Sequence, residues 1–132
     1  MGSPASDTQP AVAQPPRILR VVRSFGYAFE GLGTMVRTQP NFVVHLAAAV
    51  LALVFGVALR LTPGELALIV LTIAGVLVIE CVNTALETVC DLVAPEFHPM
   101  VKRTKDVSAA AVLVGAIASV VIAALLFVPH LI

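Results

Sequence analysis

The sequence has little charge and few cysteines, and each shortage excludes a class of function. Only 12% of its 132 residues are charged, and eight basic residues balance eight acidic ones. A chain without surplus positive charge is a poor partner for nucleic acid, because it cannot displace counterions from the phosphates. Cys81 and Cys90 would lie on one helix about 13 Å apart, too far to form a bridge within the chain. Together with three scattered histidines, they predict neither a disulfide framework nor a zinc site.

Apolar residues, by contrast, make up 59% of the sequence. A soluble domain of this length could not hide so many apolar side chains without exposing an aggregating surface. Three apolar stretches are each long enough to cross a bilayer. The sequence therefore predicts an all-α integral membrane protein, with one membrane domain over residues 17–132 and transmembrane helices over residues 41–60, 65–92 and 107–128.

The residues before the first span divide into a tail and a helix. Residues 1–16 are rich in proline and small polar residues and lack the basic and apolar regions of a signal peptide, so we expect a disordered tail. Residues 17–38 carry apolar side chains at helical spacing, with arginines at other positions. This pattern predicts an amphipathic helix at the membrane surface. The alternative is an ordinary amphipathic helix that packs on protein.

Basic residues cluster on one predicted side of the membrane. The group before the first span is Arg17, Arg20, Arg23 and Arg37, and the group between the second and third spans is Lys102, Arg103 and Lys105. Only Arg60 lies in the opposite loop. The positive-inside rule then predicts a cytoplasmic N-terminus, a cytoplasmic loop over residues 94–106 and a C-terminus outside. ATP is available on the cytoplasmic side.

Four polar residues follow the apolar part of the second span: Glu80, Asn83, Glu87 and Asp91. At about 100° per residue, all four project from one narrow stripe of the helix. An ionised side chain within hydrocarbon costs a few kcal/mol, so the stripe indicates a function. The alternative is that this end of the helix has left the membrane and the stripe is a solvated face, which fits Asp91 best.

The basic loop would bring positive charge to the same membrane surface as these carboxylates. The combination favours a metal and phosphate site, because Mg²⁺ commonly takes one or two protein carboxylates together with phosphate oxygens and water. Taken alone, the loop is also explained as a topology determinant that touches anionic lipid. Neither G-x-x-x-x-G-K-[ST] nor the motifs of protein kinases occur, so a kinase here would be of another kind.

The polar stripe belongs to a longer pattern. The segment from Glu80 to Glu87 has the form E-x-x-N-T-A-x-E, with Asp91, His98 and the segment Lys105-Asp106-Val107-Ser108-Ala109-Ala110-Ala111-Val112-Leu113 after it and Ser24-Phe25-Gly26-Tyr27-Ala28-Phe29-Glu30-Gly31-Leu32 before it. This pattern resembles the prokaryotic diacylglycerol kinase and undecaprenol kinase family. The resemblance implies a homotrimer in the bacterial inner membrane, with active sites shared between subunits, that phosphorylates a membrane lipid alcohol with ATP and Mg²⁺.

The resemblance also implies roles for single residues. Glu80 resembles the general base that takes the proton of the lipid hydroxyl, Asn83 a positioning group and Glu87 a magnesium ligand. These roles suit the chemistry, since an alcohol needs a nearby base and phosphoryl transfer depends on positioning and charge neutralisation. The implied nucleotide-binding residues are Tyr27, His98, Lys105 and Asp106.

One position departs from the family pattern. Where the family usually has a second metal-binding glutamate, just before the first span, this sequence has Gln39 followed by Pro40. Gln39 can coordinate a metal only through a neutral oxygen. We therefore expect weaker magnesium binding, a slower enzyme, or recruitment of another acid such as Glu30.

The acceptor lipid is predicted from a short segment. Asn41-Phe42-Val43-Val44-His45 is similar to the N-F-x-x-H segment of the undecaprenol kinase branch. The resemblance thus favours undecaprenol over diacylglycerol, with Glu80 and His45 at the lipid, although a histidine at this place is also commonly a packed residue. Alternatives are a diacylglycerol kinase, a catalytically impaired lipid- or nucleotide-binding protein, and a small proton-coupled transporter. Three spans without an internal repeat give the transporter little support.

Overall fold

The structure, a computed structural model, describes residues 16–132, which contain four long helices and no strand. The helices are α1 (Arg17–Thr38), α2 (Pro40–Ala58), α3 (Pro63–Val93) and α4 (Pro99–Phe127), followed by a short 3₁₀ helix at Val128–His130. Three helical segments within these residues are long and apolar enough to cross a membrane: Pro40–Ala58, Pro63–Val93 and Pro99–His130. The predicted all-α fold with three spans is confirmed. The predicted tail lies outside the described residues, apart from Pro16.

The chain divides into two units, Met1–Gly33 and Thr34–Ile132. In the described part of the first unit, the apolar side chains of α1 are exposed, including Phe25 and Phe29 at 64% and 70%. The described residues of the first unit therefore do not bury the apolar face of this amphipathic helix. The bounds of α1 coincide with residues 17–38, and its location at the membrane surface stays a prediction.

A tight turn joins α2 to α3. Leu61 N donates to Gly56 O at 3.0 Å and Arg60 N donates to Val57 O at 3.1 Å, the hydrogen bonds of a Schellman motif. Arg60 has a φ of 57°, the left-handed conformation that this motif requires. This motif ends α2 at Ala58, short of the predicted end at residue 60.

The start of α3 is fixed by a capping box. The backbone N of Thr62 donates to Glu65 Oε2 at 2.8 Å, and Glu65 N donates to Thr62 Oγ1 at 3.4 Å. Pro63 suits the first helical turn because it lacks a backbone donor that would need a partner. The helix consequently begins at Pro63, ahead of the predicted start at residue 65.

The connection between α3 and α4 is shorter than the predicted loop over residues 94–106. Only residues 94–98 are non-helical, and α4 begins at Pro99 rather than at residue 107. His98 caps the helix, with its Nδ1 accepting from Met100 N at 3.2 Å. Proline at the first position and a side-chain cap before it explain the early start. The basic residues predicted in a loop therefore lie on the first turns of a helix.

Helix α3 packs against both α2 and α4. Two contacts define its antiparallel register with α4: Asp91 forms an ion pair with Lys105 near one end, and Glu65 Oε1 lies 3.7 Å from His130 Nε2 at the other. At an equal rise per residue, this register brings Glu80 roughly level with Gly115. A Cβ on Gly115 would lie 3.4 Å from Ile79 Cδ1. Glycine thus permits a close approach of α4 beside the polar stripe.

The outer surfaces of α2, α3 and α4 are apolar and exposed. Leu71, Val78 and Val114 are 69%, 60% and 67% exposed, whereas Phe42, Ile69 and Val76 between the helices are buried. So much exposed apolar surface is incompatible with a soluble monomer. It is the surface expected of helices that face lipid or other subunits.

Candidate active site

The polar stripe of α3 runs from the buried interior to an exposed end. Glu80 and Asn83 are only 2% and 9% exposed, Glu87 is half-buried and Asp91 is exposed. The stripe is therefore not a solvated face along its whole length. The alternative of a solvated face is excluded for Glu80 and Asn83. Asp91 fits that alternative, as the sequence indicated.

Two members of the stripe are joined to each other. Asn83 Nδ2 donates to Glu87 Oε1 at 3.2 Å, as residues four apart on a helix can do. The bond holds Oε1 of the carboxylate, so Glu87 can bind a cation through its other oxygen, Oε2. Asn83 is thereby suited to orient Glu87.

The predicted nucleotide-binding residues Lys105 and Asp106 both lie on α4, but their side chains make different ion pairs. Lys105 reaches α3 and pairs with Asp91 at the end of the stripe. Asp106 points elsewhere and pairs with Lys102 on the exposed side of α4. The structure thus brings Lys105 to the carboxylates, while Asp106 keeps a second cation near the same helical end.

Three buried polar atoms on α3 have no hydrogen-bond partner in the described part of the chain. They are Glu80 Oε2, Asn83 Oδ1 and Thr84 Oγ1. Leaving a buried polar group unsatisfied costs roughly 1–3 kcal/mol, and more when it is charged. Three such atoms within five consecutive residues indicate a site whose polar partner comes from outside the chain.

Sequence reasoning did not single out Thr84, although the signal was present. At about 100° per residue, Thr84 lies near +40° from Glu80, about 20° beyond Asp91 and so just outside the edge of the stripe. Its small side chain and its place in a helix interior gave no reason to separate it from a packing residue. Only its unpartnered hydroxyl distinguishes it.

His45 lines a cavity of ≈ 180 Å³ between α2, α3 and α4. The other walls are mostly apolar and include Ala49, Ile69, Val76, Ser119 and Phe127. Val76 lies one helical turn before Glu80. His45 is therefore half-buried between the helices and is not a surface residue.

Gln39, the predicted metal-site residue, is the half-buried N-cap of α2 and makes no capping hydrogen bond through its side chain. Within residues 16–132, no three His, Cys, Asp or Glu side chains gather as a ready metal cage. Magnesium does not need one, because one or two carboxylates with phosphate oxygens and water are enough. The half-buried Glu87 is a donor of the right chemistry, so the residues present fit a magnesium and nucleotide complex.

Two further predicted residues, His98 and Tyr27, are exposed. His98 is exposed and its Nδ1 is engaged in capping α4. Tyr27 is 68% exposed on α1 and belongs to the first unit of the chain. The predicted roles of both side chains at the nucleotide stay predictions.

Comparison with known proteins agrees with the resemblance of the motif. Residues 26–127 match the family model described as prokaryotic diacylglycerol kinase. The undecaprenol kinase of Bacillus subtilis (strain 168) is 39% identical over 112 residues, which cover 85% of this chain and 91% of the relative. The diacylglycerol kinase of Synechocystis sp. is 38% identical over 82% of this chain and 62% of the relative.

A more distant relative spans nearly the same part of the sequence. The diacylglycerol kinase of Escherichia coli (strain K12) is 29% identical over 84% of this chain and 91% of its own length. The family match over residues 26–127 includes α2, α3, α4 and the polar stripe, and the alignments cover more than half the length of each of these relatives. The chain belongs to the prokaryotic diacylglycerol kinase family and is a membrane-embedded lipid kinase.

Proposed function

We propose that the protein transfers the γ-phosphate of ATP to the hydroxyl of a membrane lipid, with undecaprenol preferred to diacylglycerol, and that the α3 stripe is its active site. The observation that carries this proposal is the Glu80 carboxylate, which is 2% exposed and has an oxygen without a partner among the described residues. A carboxylate kept in that state on a membrane-spanning helix is suited to accept a proton from a lipid alcohol.

The reaction then needs one proton acceptor and one in-line displacement. The lipid O–H bond breaks and its proton passes to Glu80, while the lipid oxygen forms a bond to the γ-phosphorus. The bond from that phosphorus to the bridging oxygen of ATP breaks, and ADP leaves. Burial of Glu80 also excludes water, which would otherwise compete with the lipid as acceptor.

Glu87 is the residue we propose as the magnesium ligand, with Gln39 contributing a neutral oxygen where the family pattern has a carboxylate. Bound Mg²⁺ neutralises charge on the transferring phosphate. Asn83 supports this role because its Nδ2 holds Glu87 Oε1 at 3.2 Å. Lys105 supplies positive charge at the end of the stripe. The remaining nucleotide contacts that we propose are Tyr27, His98 and Asp106.

The choice of undecaprenol depends on His45 and its segment. The names of the relatives do not decide it, since an undecaprenol kinase and a diacylglycerol kinase are 39% and 38% identical to this chain. His45 lines an apolar cavity whose α3 wall ends one turn before Glu80, so it is suited to contact the acceptor lipid. Apolar contacts discriminate only weakly between chains, and we expect diacylglycerol to be used as a second substrate.

The proposal includes a homotrimer in the bacterial inner membrane with the ATP site on the cytoplasmic side. Exposed apolar side chains along α2, α3 and α4 provide surface for both lipid and neighbouring subunits. The first turns of α4 lie beside the end of the stripe, where Asp91 pairs with Lys105. They carry three basic residues, Lys102, Arg103 and Lys105. Under the positive-inside rule this end faces the cytoplasm, and the C-terminus lies outside.

We expect the purified protein in mixed micelles to transfer labelled γ-phosphate from ATP to undecaprenol and, with a lower kcat/KM, to diacylglycerol. Each lipid is assayed separately over a magnesium titration, and the lipid phosphate is extracted and counted. Higher kcat/KM for diacylglycerol would reverse the proposed preference. Absence of transfer to either lipid from folded protein at every magnesium concentration would leave a binding protein that has kept the fold of the family.

A further inference from the structure

The hydroxyl of Thr84 behaves differently from those of other threonines in these helices. Thr38, Thr72, Thr88 and Thr104 each donate to the carbonyl oxygen four residues earlier, at 2.8–2.9 Å. This local bond is the usual way for a helical threonine to satisfy its hydroxyl. Thr84 Oγ1 is buried and makes no such bond, nor any other to the described residues.

The position of Thr84 explains why its hydroxyl matters. Thr84 lies one helical turn after Glu80, so the two side chains are neighbours on one face of α3. Glu80 Oε2 is an acceptor without a donor, and Thr84 Oγ1 carries a hydrogen without an acceptor in the described chain. Such groups are costly to bury, and a valine would fill the same space without that cost. An unpaired threonine beside an unpaired carboxylate therefore points to a ligand that is both donor and acceptor.

An alcohol oxygen has that combination, with one hydrogen and two lone pairs. We infer that Thr84 donates a hydrogen bond to the same lipid oxygen whose proton passes to Glu80, and so positions the acceptor for attack. One lone pair of the lipid oxygen accepts from Thr84, the other faces the γ-phosphorus, and the hydrogen faces Glu80. This inference rests on the proposed lipid kinase function and assigns to that reaction a second residue that binds the acceptor.

The burial of these atoms adds a condition. Glu80 Oε2 and Thr84 Oγ1 are both buried, so neighbouring side chains have to move before a lipid hydroxyl can reach them. The contact is then made only when the acceptor is present. Such an arrangement keeps the proton acceptor away from water until the lipid has entered.

The test compares Thr84→Val, Thr84→Ser and the matched control Thr88→Val. Thr88 is one turn further along α3, is exposed, and its hydroxyl is already bonded to Thr84 O. Loss of one neutral hydrogen bond predicts that Thr84→Val lowers kcat/KM about 3- to 10-fold. We expect the loss to be similar for undecaprenol and diacylglycerol and to leave the KM for ATP unchanged. Thr84→Ser should keep most of the rate and Thr88→Val all of it.

Stability separates this role from a structural one. Since Thr84→Val removes an unsatisfied buried hydroxyl, the variant should unfold at a temperature no lower than the original protein. A rate equal to that of Thr88→Val, or a loss explained by less folded protein, would overturn the inference. A loss confined to diacylglycerol would also overturn it, because the hydroxyl would then contact an ester carbonyl rather than the reacting oxygen.

Binding measured without ATP tests the contact independently of turnover. Undecaprenol titrated into micelles should raise the unfolding temperature of the original protein and of Thr88→Val at the same half-saturating concentration. Thr84→Val should need about 3- to 10-fold more lipid. Equal half-saturation for Thr84→Val would reject the inference even if the protein proved inactive, whereas inactivity with the expected binding shift would reject only the proposed kinase function.

Discussion

Glu80→Gln is expected to lower the rate of phosphate transfer to the lipid by about 10²- to 10⁴-fold, the contribution of a well-placed general base. Glutamine has nearly the same shape, so the packing around this 2% exposed side chain is retained. The change removes the negative charge of the carboxylate and, with it, the ability to take a proton. Initial rates of lipid phosphate formation at saturating ATP, magnesium and lipid measure the effect.

Glu96→Gln is the matched control for this variant. Glu96 is exposed in the connection between α3 and α4, so the same chemical change there should leave the rate unaltered. The unfolding temperature of Glu80→Gln should not fall, because a buried carboxylate without a partner is replaced by a neutral group. A rate for Glu80→Gln within a few-fold of the original would mean that another group accepts the proton.

Glu87→Gln is expected to raise the magnesium concentration for half-maximal transfer by about 10- to 100-fold or more, since changes outside the first ligand shell already cost that much in metal affinity. The substitution keeps an oxygen that can accept from Asn83 Nδ2, as Glu87 Oε1 does at 3.2 Å. It removes the negative charge that attracts the cation. The measurement is a titration of free Mg²⁺ at fixed ATP.

Gln39→Glu is the reciprocal experiment, and it should lower the same half-maximal concentration by restoring a carboxylate at the N-cap of α2. Thr38→Glu supplies the same added charge at a neighbouring exposed residue and should have no comparable effect. If both variants shift the magnesium curve equally, the effect is general electrostatics. If Glu87→Gln leaves the curve unchanged, Glu87 is not a magnesium ligand.

Composition and periodicity predicted the three spans and the common face of Glu80, Asn83 and Glu87, because both features follow from helix geometry and the thickness of a bilayer. The predicted start of the last helix, at residue 107, was too late by more than a helical turn, because α4 begins at Pro99. Charge on Lys102 and Lys105 suggested a solvated loop, whereas Pro99 and the capping His98 begin a helix there. The charged residues outweighed the helix-start signal of Pro99 in the sequence.

The depth of the site could not be read from the sequence. Burial of Glu80 depends on how closely neighbouring helices approach α3, and that approach depends on small residues such as Gly115 and on the end contacts that define the register. Thr84 was missed for a related reason, since the sequence does not say which acceptor a helical hydroxyl finds. The family resemblance supplied the roles of the stripe, and the structure added which of its atoms lack partners.

The fold suggests how a small membrane protein can use ATP without a phosphate-binding loop. One long helix, α3, carries the proposed base in its buried part and the proposed metal ligand nearer its end, and the ion pair of Asp91 with Lys105 brings a cation from α4 to the same end. Lipid can approach such a helix from the bilayer while the nucleotide approaches from water. The helix itself fixes the distance between the two parts of the site.

We propose that the site on the buried face of α3 directs phosphate from ATP to a lipid and not to water. It is tested most directly by measuring ADP and lipid phosphate together, in the same micelles, with and without undecaprenol. We expect equal amounts of the two products when lipid is present, and negligible ADP when it is absent. ADP formation that is independent of lipid, or that exceeds lipid phosphate several-fold, would contradict a closed site and the role given to Glu80.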